Sequence, residues 1–129
     1  VIASGRRAPS TRREEKVHLR DDAGIIAELH QLNGTDSALL DDEMLRIALP
    51  AIRSDYQAIE SYACEPGRSL GCGITVLTGD ADTKTSLEEA QAWREHTTGP
   101  FRVKVFPGGH FFLTEHSAAV NAEIAAELG

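Results

Sequence analysis

The sequence has no run of about 18 apolar residues, so it offers no transmembrane helix, and its first residues show no basic-then-apolar leader. Cysteine is scarce. Cys64 and Cys72 are the only two, eight positions apart, with neither a CxxC pair nor a neighbouring pair of histidines, which is not zinc-ligand spacing. Two free thiols fit a reducing cytoplasm better than a disulfide scaffold. An excess of positive charge is also missing: 13 Lys and Arg face 20 Asp and Glu, for a formal charge of −7. Nucleic-acid binders need a basic face that displaces counterions from phosphates, so that class of partner is not expected. Methionine occurs once, at Met44, and the first residue is Val1. A chain that opens this way is expected to be processed or to be a piece of something longer.

What is present is ordinary for a globular protein: 41% apolar and 26% charged among 129 residues, the size of one domain. The charge is uneven. Residues 1–20 hold six basic side chains (Arg6, Arg7, Arg12, Arg13, Lys16 and Arg20) against Glu14 and Glu15, and the remainder is strongly acidic. A solvated arginine-rich loop explains this opening; an acidic partner or a phosphate would also suit it.

The apolar pattern predicts the elements in turn. Val1-Ile2-Ala3 is a short β-branched start that Ser4-Gly5 ends, and residues 5–20 read as a polar loop. Asp21 and Asp22 suit the N-cap of a helix carrying Ile25, Ile26, Leu29 and Leu32, stopped by Asn33-Gly34. A longer helical stretch follows the acids at 41–43, with Leu45, Leu49, Ile52, Tyr56, Ile59 and Ala63 in steps of four and three. Pro50 lies inside it, which predicts a kink or two helices meeting there. After a loop over 64–73, Ile74 to Thr78 is a β-branched run ended by Gly79-Asp80. Thr85 and Glu88 have capping-box spacing, ahead of a stripe of Leu87, Ala90 and Trp93 that Gly99-Pro100 stops. Residues 102–106 alternate like a strand, Pro107-Gly108-Gly109 is a tight turn, and a last helix from about Glu115 presents Val120, Ile124 and Leu128. Strand, helix, strand, helix is the grammar of a parallel sheet covered by helices.

In such sheets, functional groups collect beyond the carboxyl ends of the strands. Two loops qualify, Gly79-Asp80-Ala81-Asp82 and Gly108-Gly109-His110. A carboxylate and an imidazole from neighbouring strand ends are the orienting acid and general base of a Ser-His-Asp site. An aspartate in such a turn also serves simply to close it or to cap the next helix. His18, His30, His96 and His116 read as structural or solvated. Gly67-Arg68-Ser69-Leu70-Gly71 matches G-x-S-x-G, and Ser69, Asp82, His110 fall in α/β-hydrolase order. The context is wrong, because a nucleophile elbow needs a strand before the serine and a helix after it. Here a loop precedes Ser69 and a strand follows, so Ser69 is not expected to be the nucleophile.

As a set, ASGRRAPS at 3–10, LPAIRSDYQAIESY at 49–62, TGDADTK at 78–84, AWREHTTGPF at 92–101 and VFPGGHFFL at 105–113 resemble the type II thioesterases. These are α/β-hydrolases that serve polyketide synthases and non-ribosomal peptide synthetases, and the resemblance runs through essentially the whole chain. It implies that 1–129 is the carboxyl-terminal part of an α/β-hydrolase domain, with a helical lid insertion over 21–63 and a βαβα core over 74–129. It implies His110 as catalytic base and Asp82, the second acid of GDxD, as its orienter, with Asp80 as the fallback. Thr83 stands where many members have proline. The family's nucleophile is the serine of a GHSxG-type elbow, and no segment here matches it, so the chain by itself is expected to be inactive.

The implied activity is hydrolysis of acyl thioesters on the phosphopantetheine arm of acyl or peptidyl carrier domains, in the cytoplasm. It requires no metal or nucleotide cofactor and no nucleic-acid or membrane partner; the phosphopantetheine belongs to the substrate. Two other readings stay open. One is a non-catalytic remnant that binds carrier domains through Arg6, Arg7, Arg12 and Arg13. The other is an unrelated metal-dependent hydrolase using Asp80, Asp82 and His110, which would need divalent cations.

Overall fold

A computed structural model of the chain describes residues 1–32 and 42–129. It contains strand β1 (Ile2–Ser4), helices α1 (Asp22–Leu32) and α2 (Asp42–Ser61), β2 (Ile74–Gly79), α3 (Leu87–Gln91), β3 (Phe101–Phe106), α4 (Phe112–Glu115) and α5 (Ser117–Leu128). The three strands form one parallel sheet in the order β1-β2-β3. The chain divides into two compact units, one of Val1–Thr11 with Glu65–Gly129 and one of Arg12–Cys64.

The first unit is built on β2, whose six residues are all buried. A central parallel strand has both faces covered, so a continuous apolar run is what burial requires. Ala3, Ile74, Val76 and Ala90 pack on one side with Trp93, Phe101 and Val103; Leu77, Phe106, Phe112 and Val120 form a second cluster with Ile2 and Ile124. On β3 the exposed charges are tied down: Arg102 bridges Glu123 and Glu127, and Lys104 reaches Glu123.

Helix α3 starts one residue later than the sequence spacing predicts. Ser86, not Thr85, is the N-cap: its hydroxyl accepts from the Glu89 amide, and the Glu89 carboxylate accepts from the Ser86 amide. The Thr85 side chain is otherwise engaged, buried and donating to the Gly5 carbonyl at 3.1 Å. Of the expected stripe, Leu87 is exposed, while Ala90 is buried and Trp93 half-buried. Replacing Ser86 with Ala is expected to lower stability by about 1 kcal/mol in chemical denaturation, because it leaves that first-turn amide without its partner.

The last helix also differs. Its helical path begins at Phe112, is interrupted at His116 and resumes as α5, with Val120 buried, Ile124 half-buried and Leu128 exposed. Cys64 and Cys72 are not joined in a disulfide.

The second unit packs α1 on α2 around Val17, Ile25 and Leu49, with Ile26, Leu29, Ile52 and Tyr56 half-buried. Asp21 caps α1 by accepting from the Gly24 amide at 2.8 Å. The expected stop at Asn33-Gly34 lies outside the described residues. Pro50 does not divide α2, which is helical from Asp42 to Ser61. Proline removes one intrahelical hydrogen bond, but the stripe of Leu45, Leu49, Ile52 and Tyr56 is continuous across it, and that shared burial outweighs the local loss. Ile59 and Ala63 fall outside this core, exposed.

Two features of this unit escape a periodicity reading. Glu28 is buried on the apolar face of α1 and is held by Arg20 at 2.8 Å. Glu60 accepts the backbone amides of Val17 and His18 and pairs with the His18 ring, so His18 has a specific partner. Among the described residues no helix is long and apolar enough to cross a membrane.

Candidate active site

The register of the sheet sets up the site. Gly79, the last residue of β2, pairs with Phe106, the last of β3, so both strands release their loops side by side at the same edge. From β2 comes Asp80-Ala81-Asp82 and from β3 comes Pro107-Gly108-Gly109-His110. The two loops are then stitched together. The Asp80 amide donates to the Phe106 carbonyl, and the Ala81 amide to the Gly108 carbonyl, each at 2.9 Å.

Asp82 and His110 meet. Nδ1 of His110 lies 3.0 Å from Oδ2 and 3.2 Å from Oδ1 of Asp82. The Asp82 side chain is fully buried and the imidazole is about a quarter exposed, at 26%. Oδ1 also accepts the Lys84 amide at 2.7 Å. Burial pushes the Asp82 carboxyl up. The His110 hydrogen bond, the Lys84 amide, the charge of the imidazolium and the Thr85 amide together outweigh it and hold the group below its ordinary value. An ionised carboxylate only accepts, so Nδ1 carries the proton and the lone pair sits on Nε2. Nε2 makes no hydrogen bond among the described residues. It is therefore free to take a proton from a group brought to it.

Two glycines are needed for this approach. A Cβ on Gly79 would lie 2.4 Å from the carbonyl oxygens of both Gly108 and Gly109, so any side chain there would push the His110 turn away. Gly5, at φ +56°, lies against the ring; a Cβ there would sit 3.5 Å from Cε1 of His110 in a left-handed conformation that favours glycine. Sequence reading missed both positions. Only the strand-terminal placement of Gly5 and Gly79 hinted at them. On the ring's other side, Phe111 makes an edge contact at 5.2 Å between centroids.

The other candidates lie elsewhere. Asp80 does not face the imidazole: its Oδ1 accepts the Gly108 amide at 2.9 Å. Ser69 is exposed, in a loop preceded by a turn at 66–67 and followed by the parallel bridge of Leu70 with Thr97, and makes no hydrogen bond to His110. His96 contacts the Ser10 hydroxyl at 2.9 Å through Nε2, and His116 uses its Nε2 on the Pro107 carbonyl at 2.8 Å. Among the described residues, no three His, Cys, Asp or Glu side chains are grouped to hold a metal ion.

The arginine-rich opening is not one exposed face. Arg7 is buried, with Nη1 directed to the Lys84 carbonyl at 3.5 Å, and the Arg6 carbonyl accepts from the Trp93 indole at 2.7 Å. This part of the loop braces the segment that carries Asp82. It leaves a carrier-binding surface built on Arg7 without its side chain.

Residues 1–128 match the family described as Thioesterase domain. The protein named "Probable cadicidin biosynthesis thioesterase" from Streptomyces griseus is 64% identical over 129 residues, covering 99% of this chain and 36% of its own length. Thioesterase PikA5 from Streptomyces venezuelae is 45% identical over 129 residues, covering 99% of this chain and 46% of its own. Among solved structures, the type II thioesterase BorB from the borrelidin biosynthetic cluster superposes with a TM-score of 0.92 at 48% identity, over 99% of this chain and 53% of that one. The chain thus spans about a third to a half of the length of these relatives. Its parallel sheet and flanking helices are the α/β-hydrolase architecture of those enzymes. With the family match running from Val1 to position 128 and the fold in agreement, the chain belongs to the thioesterase domain family.

Proposed function

We propose that Asp82 and His110 are the orienting acid and the general base of a serine-type thioesterase acting on acyl groups of carrier domains in polyketide and non-ribosomal peptide pathways. The observation that carries this reading is the Nδ1–Oδ2 contact of 3.0 Å with Nε2 left open. Similarity to the type II thioesterase of the borrelidin biosynthetic cluster and to ClbQ of the colibactin NRPS/PKS pathway supports the pathway class, and carrier-bound acyl groups are the thioesters such pathways offer.

The chemistry follows from the proton inventory. A serine hydroxyl placed at Nε2 loses its proton to His110 as its oxygen attacks the thioester carbonyl. Asp82 stabilises the imidazolium that results. Collapse of the tetrahedral intermediate breaks the C–S bond, and the imidazolium gives its proton to the departing phosphopantetheine thiolate. Water, activated by the same Nε2, then releases the free acid from the acyl-serine. His110 changes role between base and acid while Asp82 stays ionised.

Among the described residues no serine hydrogen-bonds to His110, so the nucleophile of this mechanism is supplied from outside them. The test is release of free acid from an acylated carrier domain, followed by mass spectrometry. A protein that joins these 129 residues to a nucleophilic serine is expected to release it. The 129 residues alone are expected to give no release and no fluorophosphonate adduct. Stoichiometric capture at Ser69 would overturn the assignment of the nucleophile, and a joined protein that leaves the acyl carrier intact would overturn the reading as a whole.

A further inference from the structure

We propose that Asp80 is a positioning residue, whose carboxylate holds the Gly108-Gly109-His110 turn where the imidazole meets Asp82. This rests on the reading of Asp82 and His110 given above. It also assigns the two acids of Gly79-Asp80-Ala81-Asp82 different tasks: one orients the ring, the other anchors the backbone that carries it.

Besides the Asp82–His110 contact, three hydrogen bonds join the loops, and Asp80 makes two of them. Its amide donates to the Phe106 carbonyl, its Oδ1 accepts from the Gly108 amide, and the Ala81 amide closes the set on the Gly108 carbonyl, all at 2.9 Å. Both polar groups of the Gly108 peptide flanks are thus fixed by consecutive residues of the other loop. Gly108 sits at φ +118°, a conformation that only glycine enters readily. A residue so permissive does not hold itself in place, so its conformation is set by what it bonds to. From below, Gly79 limits how far the turn can descend, with the Gly108 and Gly109 oxygens 2.4 Å from where a Cβ would be. Asp80 supplies the lateral tie. The contact lies near solvent, where an unbonded amide would exchange quickly.

The role requires an acceptor oxygen at Oδ1, not a negative charge. Asp80→Asn keeps that oxygen and Asp80→Ala removes it, which separates anchoring from service as the carboxylate partner of His110. In the 129-residue chain, D80A is expected to raise amide hydrogen exchange at Gly108 about tenfold, the loss of one hydrogen bond. It is also expected to increase the Nε2–H tautomer of His110 in long-range proton–nitrogen spectra. D80N is expected to return both to the unsubstituted values. In the unsubstituted chain, a scalar coupling through the hydrogen bond is expected between the Gly108 amide nitrogen and the Asp80 carboxyl carbon, a readout that needs no variant to fold.

Unchanged Gly108 exchange in D80A, damage by D80N equal to that by D80A, or no coupling between Gly108 and Asp80 would each sink the proposal. The Asp82→Asn control keeps the two readings apart. It is expected to change the His110 tautomer and leave Gly108 exchange alone. An unaltered tautomer there would fault the pairing of Asp82 with His110, whatever Asp80 does.

Discussion

Asp82→Asn is expected to lower thioester turnover by about 10⁴-fold, with little change in KM, in a protein that combines this chain with a nucleophilic serine. The size follows from where the two carboxylate oxygens sit. Oδ1 is claimed by the Lys84 amide at 2.7 Å, and Oδ2 is the nearer to Nδ1 of His110 at 3.0 Å. An asparagine keeps its oxygen on the Lys84 amide and therefore turns its NH2 toward the imidazole. Two donors cannot face each other, so the ring shifts its proton to Nε2, the nitrogen that must accept from serine. The substitution is nearly isosteric, and the damage is one of proton placement and lost charge. The measurement is steady-state release of acid across pH, with denaturation of the same variant as a control. A loss under about tenfold in a folded variant would remove Asp82 from the mechanism.

The second large effect is on stability. Phe112→Ala is expected to cost about 3–5 kcal/mol, lowering the melting temperature by roughly 10–20 °C. Phe112 is fully buried, at 0% exposure, stacked on Phe106 at 5.3 Å between ring centroids and packed with Leu77 and Val120. Its removal leaves a void between the end of the sheet and the start of α4, two residues from His110. Phe111→Ala is the matched control. That ring is 43% exposed, so its loss is expected to cost under about 1 kcal/mol. Equal destabilisation by the two would refute the assignment of Phe112 to the core.

Those adjacent phenylalanines also show where sequence reasoning reaches its limit. A β-branched run located β2, and period-two and period-3.6 patterns located β3 and the helices, because burial of both faces or of one imposes those patterns on any chain. They do not tell which of two neighbouring aromatics turns inward, since α4 is only one turn long and starts ahead of the expected helix. Thr85 and Ser86 present the same difficulty. Either hydroxyl has capping chemistry, and the choice is made by the Gly5 carbonyl, which is distant in sequence and adjacent in space. Glu28 was invisible for a related reason: its partner, Arg20, lies eight residues back, outside the helix.

For the candidate site, strand-end logic picked out the two loops that in fact meet, because parallel strands in register must release their loops together. It left Asp80 and Asp82 unresolved. Both are acids, two residues apart, and the distinction lies in Oδ1 of Asp80 reaching the Gly108 amide while Asp82 reaches the ring. The arginines were read as charge alone. Burial of Arg7 beside the Lys84 carbonyl depends on a chain crossing that no local pattern encodes.

That crossing has a kinetic side. Ile2 of β1 pairs with Thr75 of β2, so the sheet joins segments about 70 residues apart, and Gly5 must wait still longer for His110. Closing a loop of that length costs on the order of 4 kcal/mol of chain entropy before any contact repays it. Helices α1 and α2, by contrast, lie close together along the chain, in the unit of Arg12–Cys64. Parallel pairing at such separation is slow, and short strands such as β1 have few contacts with which to hold a premature encounter. The contact of Gly5 with the His110 ring is thus a late product of folding, whereas Asp82 and His110, 28 residues apart, need only β2 and β3 to meet. During synthesis Asp82 and His110 can meet only once β3 and the turn after it have emerged, because that turn carries the imidazole.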